Sequence, residues 1–181
     1  MDQSPTEKED LNQRRTLAWS AYNRLKLVWN SPSLSDALRS MLFRATVETV
    51  LLYNSETWTT TDTFTEKLDA MHSGLLRAVF NIHWPTRISN SELYRKANLQ
   101  PASSVIRKKR LSLVGHLIRA EEYCPQVIHH VLLWHTSGPL RRGQGRRSCY
   151  LDQILTDAGI TDTLPSKAFR QLRDMAISRR L

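Results

Sequence analysis

The sequence predicts an all-α protein: a helical bundle of three long helices, followed by a second, smaller and more basic helical cluster. Three observations carry this. Apolar residues recur at three- and four-residue steps along most of the chain, capping signals stand at the heads of those stretches, and almost nothing alternates with the two-residue period of a strand.

Ser4-Pro5-Thr6-Glu7 is a capping box with proline at the first helical position. Leu11, Ala18, Tyr22, Leu25 and Trp29 then mark one face, up to a stop at Asn30-Ser31-Pro32. A second helix is expected from near Ser33 toward Tyr53, its stripe being Leu38, Leu42, Ala45 and Leu52. Thr63-Phe64-Thr65-Glu66 reads as the capping box of a third, with Phe64, Leu68, Met71, Leu75 and Val79 on its face and Asn81 as a left-handed stop. Ser89-Asn90-Ser91-Glu92 opens a short fourth helix ending near Asn98, and Pro101 a long fifth through Ile118. A sixth runs from Pro125 to Trp134, the segment 138–147 is a loop, and helices at 149–158 and 166–180 close the chain. The expected organisation is a bundle over 1–84, a basic helical extension over 85–135, and a basic loop with C-terminal helices over 136–181.

Composition narrows the function classes. The 181 residues are 40% hydrophobic and 24% charged, which argues against disorder throughout. The longest apolar runs, such as Val50-Leu51-Leu52-Tyr53, are far too short for a bilayer span. The opening MDQSPTEKED is polar and mildly acidic, so no secretory signal is expected there. Cys124 and Cys149 are the only cysteines, which fits a reducing intracellular compartment, nuclear or cytoplasmic. The net charge of +9 is unevenly placed: residues 1–100 hold 12 Lys and Arg against 11 Asp and Glu, whereas 101–181 hold 14 against 6. That concentration favours a polyanionic partner, nucleic acid before an acidic membrane surface.

The fifth helix supplies the first candidate surface. At about 100° per residue, Ile106, Leu113, Val114 and Leu117 form an apolar side with Arg110 among them. Lys108, Lys109, Ser112, Gly115, His116 and Arg119 fall opposite, and Gly115 would let a phosphate approach the backbone. A solvated face without a ligand would have the same composition. Arg110, set among apolar neighbours, is expected to pack its stem and pair with a carboxylate. The second candidate is the glycine-containing loop bearing Arg141, Arg142, Arg146 and Arg147, which suits backbone contact with RNA or a minor groove, or equally a nuclear-localisation signal.

Catalytic signatures are missing: there is no Walker loop, no dinucleotide-binding glycine run, no nucleophile elbow and no adjacent aspartates. Cys124, His129, His130, His135 and Cys149 share one stretch, but their spacing matches no tight zinc pattern, and no metal or cofactor is expected. Trp19, Trp29, Trp58, Trp84 and Trp134 have the chemistry to stack bases, yet their helical spacing amid leucines assigns most of them to the core.

The stretches LLYNSETWT (51–59), KLDAMHSGLLRAVFNIHW (67–84) and SNSELYRKANLQPASSVIRKKRLSLVGHLIR (89–119) resemble the C-terminal region of non-LTR retrotransposon reverse transcriptases of the endonuclease type. Residues 7–29 are similar to the segment after that family's palm, and 141–160 to the basic loop and helix near its end; Asn54 stands where the family usually has glycine. The resemblance implies a noncatalytic thumb gripping a template–primer duplex, followed by a basic extension, in a fragment or remnant lacking the palm and its aspartates. The expected partner is RNA, DNA or their hybrid, bound through phosphates with little sequence preference and with no membrane involved. The alternative is a transposon-derived helical module whose basic surface meets an acidic protein.

Overall fold

A computed structural model of the chain describes residues 4–120, 150–161 and 165–178. The regular elements among the described residues are helical, without a strand, so the protein is all-α. Helix α1 spans Ser4–Arg24 and α2 Lys26–Trp29, the two being separated by a break at Leu25 (φ −106°, ψ 15°). The expected capping box at residues 4–7, the sixth helix at 125–134 and the loop at 138–147 lie outside the described side chains.

The second long stretch begins at Ser35, whose Oγ accepts the Leu38 N–H at 3.3 Å. It comprises α3 (Asp36–Leu42), a π-helical segment (Phe43–Glu48) and α4 (Thr49–Leu51). The wide π turns rotate its inward face. Phe43, Val47, Leu51 and Leu52 are buried, while Leu38 and Ala45, which the sequence places on the apolar stripe, are exposed. After Asn54, at φ 56°, a 3₁₀ turn covers Ser55–Thr57.

Helix α5 (Asp62–Val79) is capped by Thr61, two residues before the expected Thr63, because the Thr61 hydroxyl accepts the Phe64 N–H. It stops at Asn81, which takes the left-handed conformation (φ 53°), while the Ile82 N–H reaches back to the Arg77 carbonyl at 2.9 Å. Helix α6 (Asn90–Ala97) has the full Ser89–Glu92 capping box, and the hydrogen bonds from Ser89 hold the Glu92 pKa below its usual value. Asn98 ends it at φ 50°. Next come α7 (Ala102–Arg119), α8 (Tyr150–Ala158) and α9 (Pro165–Ile177).

Two units result: residues 1–53 with 60–105, and residues 54–59 with 106–181. The division falls inside α7 after Val105, whereas the sequence places boundaries at 84 and 135. In the first unit α1 packs on the π segment, α4 and α5, and α6 on α3 and α5. Buried His72 ties three of these elements together. Its Nδ1 lies 3.0 Å from the Tyr94 hydroxyl, its Nε2 lies 3.1 Å from Glu48 Oε1, and the Phe43 ring meets it edge-on. Burial, reinforced by the charge of Asp69, pushes the Tyr94 phenol well above its usual pKa, so it stays protonated. Arg39 donates to the Trp29, Ser31 and Val79 carbonyls, placing a cation at the C-terminal ends of α2 and α5.

The second unit has its own core of Val114, Ile118, Leu151, Ile154, Leu172 and Ala176, contributed by α7, α8 and α9.

Candidate nucleic-acid interface

Helix α7 is the element on which the sequence concentrates cations, and its environment decides which of them are available. Its head is held by Asp69, which accepts the Ser103 N–H at 2.9 Å and the Ser103 hydroxyl at 2.7 Å, putting a negative charge at the positive end of the helix. Ile106, Arg110, Val114 and Ile118 then form a buried stripe at four-residue steps.

Arg110 is only 5% exposed, and its Nε lies 2.9 Å from Asp157 Oδ2. Its Nη1 donates to the Trp58 carbonyl at 3.1 Å and to Gln153 Oε1 at 2.5 Å. The expected pairing with a carboxylate is therefore present. The cost of burying Asp157 outweighs the attraction of Arg110 and Arg107 and lifts its pKa above the ordinary 3.8. Arg107 donates from Nε and Nη2 to the Asp157 carbonyl in the last turn of α8. Gly159, at φ 73°, closes that helix with the Ile160 N–H on the Leu155 carbonyl. Tyr150 donates to the Glu56 carbonyl at 2.6 Å, and burial pushes its phenol up to about 12.

The outward face is narrower than the sequence reading. Lys108, Ser112 and His116 are exposed. Arg119 is exposed too, but its Nη1 donates to the Ala176 carbonyl near the end of α9 at 3.0 Å. Lys109 is half-buried, and Gly115 is buried. Gly115 therefore does not open the cationic face to a phosphate. The inward arc is centred on Arg110 and Val114 and extends toward Ile118, which carries Gly115 with it. Leu111 and Leu117 pack beside the core, and Leu113 is only half-buried. Arg141, Arg142, Arg146 and Arg147 lie outside the described residues, as do Cys124, His129, His130, His135 and Cys149.

A second set of cations escaped the sequence reading. On α9, Ala168, Leu172 and Ala176 are buried at four-residue steps, while Lys167, Arg170 and Arg173 follow one another every three residues and are exposed. That spacing was the available signal: three cations opposite a stripe of small and apolar residues. The tryptophans divide: Trp29 is fully buried, Trp19 and Trp58 are half-buried, and Trp84 is 82% exposed.

No family model, curated protein or solved structure matches the chain.

Proposed function

We propose that the protein is a noncatalytic nucleic-acid-binding module that holds an RNA, DNA or RNA–DNA duplex through its phosphates. The observation that carries this reading is the confinement of the basic excess to residues 101–181, 14 Lys and Arg against 6 Asp and Glu. Lys108, Lys167 and Arg170 supply part of it on exposed helical positions of the second unit. Contacts to phosphate oxygens carry no base information, so binding made through them is expected to be insensitive to sequence and strongly weakened by salt. The sequence resemblance to a retrotransposon reverse-transcriptase thumb and its basic extension points the same way, toward a template–primer hybrid. In this reading the chain has no polymerase or nuclease activity of its own.

The test is fluorescence anisotropy of a labelled RNA–DNA hybrid titrated with the full chain at several salt concentrations. Binding that weakens steeply with salt and is equal across unrelated sequences supports the reading. Absence of binding at low salt refutes it and leaves the basic surface to an acidic protein partner.

A further inference from the structure

The first unit carries a groove of about 500 Å³ between α1 and α5, of a size that takes small molecules. Leu11, Arg15 and Trp19 follow one another at four-residue steps along its α1 wall, and Lys67, Met71 and Gly74 lie on the α5 wall. Leu11 is buried, Trp19 and Met71 are half-buried, and Arg15 and Lys67 are exposed at opposite sides. None of the described lining residues is acidic. Among the described lining residues, an anion entering the groove would therefore meet two cations and no carboxylate, over an apolar floor.

Gly74 is a second, independent observation. It sits in the interior of an 18-residue helix, where glycine is the poorest choice apart from proline. Neither backbone conformation nor crowding demands it: a β-carbon built there meets nothing within 4 Å. What its missing side chain provides is open space in the wall of the groove. Trp19 is held edge-to-face against Tyr22, with ring centroids 5.3 Å apart, so its indole is a positioned surface.

We propose that this groove binds a small aromatic anion. The flat apolar body lies against Trp19 and Met71 in the space Gly74 leaves, and the carboxylate, sulfonate or phosphate group is held between Arg15 and Lys67. The pairing is chemically specific, since a guanidinium gives an oxyanion two parallel donors and an ammonium adds a point charge. The site belongs to the first unit, and its occupation does not depend on the nucleic-acid reading of the second.

The experiment is calorimetric titration of the full chain with naphthalene-2-sulfonate, beside uncharged 2-naphthol and the cationic 2-(aminomethyl)naphthalene. The anion should bind at least tenfold more tightly than either analogue. The double variant Arg15→Gln/Lys67→Gln should remove that preference, and Gly74→Leu should abolish binding by filling the space. Gly74→Ala, which only adds the unopposed β-carbon, controls for folding and should melt at or above the temperature of the parent. A saturating RNA–DNA hybrid should leave the titration unchanged. The proposal is overturned by absence of anion binding, by equal binding of the amine, by indifference to Gly74→Leu in a folded protein, or by displacement with the hybrid.

Discussion

Arg110 holds a positive charge where only 5% of the residue reaches solvent, and it stays there because Asp157, Gln153 and the Trp58 carbonyl surround its guanidinium. Its contact with Asp157 is close but not aimed for a hydrogen bond, so the attraction is coulombic more than directional. Removing one member of such a pair strands the other. Arg110→Ala is expected to cost about 3–5 kcal/mol, measured by denaturant unfolding of the second unit. The partner makes a pH prediction with a definite sign. The Asp157 pKa is raised in the folded state, chiefly by burial, so folding favours its protonated form. The stabilisation from that preference is complete below the unfolded pKa and is lost as pH rises through the folded one. Relative to Asp157→Asn, the parent should therefore lose stability as pH climbs from about 3.8 through the raised value. A stability difference that grows with pH over that window would show the ion pair outweighing burial.

Among the elements, the ends of α6 were legible because their determinants are local. The Ser89–Glu92 box needs only a hydroxyl and a carboxylate three residues apart, and Asn98 tolerates the left-handed turn that stops the helix. Ser89→Ala should lower stability by about 1 kcal/mol in thermal unfolding. The third-helix stripe was equally legible: Leu68, Leu75 and Val79 are all fully buried. Leu75→Ala should cost about 2–5 kcal/mol, since its neighbours only partly fill the space; an unchanged denaturant midpoint would contradict its place in the core. The π segment was not legible, because a 3.6-residue period cannot follow a face that the widened turns of Phe43–Glu48 displace. Ala45, apolar and well spaced, lies in that segment and ended outside the core; Leu38, in the regular turns of α3 ahead of it, is exposed as well. On α7 the periodicity was right and its phase was off. The sequence reading set Arg110 among Ile106, Leu113, Val114 and Leu117 and left Gly115 on the outer face, whereas packing against α8 and α9 buries Ile106, Arg110, Val114 and Ile118, and Gly115 with them.

At the scale of the molecule, total charge is a poor guide to available charge. Arg39 and Arg107 cover carbonyls at helix ends, Arg119 is tied to the Ala176 carbonyl, and Arg110 is buried in its pair. These arginines count toward the net +9 while serving the fold. The proposed nucleic-acid surface on the second unit would accordingly draw on other cations, of which Lys108, Lys167 and Arg170 are exposed. Replacing these three with glutamine leaves the buried stripes of α7 and α9 intact, so the melting temperature should not move. If each neutralises one phosphate, the log–log slope of hybrid affinity against salt should flatten by about 2–3 units, at 0.7–0.9 per contact. The loss should be the same for every sequence tested, because contacts to phosphate carry no base information. A mutant that fails to fold would lose binding at all salt concentrations together with its melting transition, and so cannot imitate a changed slope in a folded protein. A folded triple variant with an unchanged slope would exclude these helical faces and transfer the interface to the arginines of 141–147.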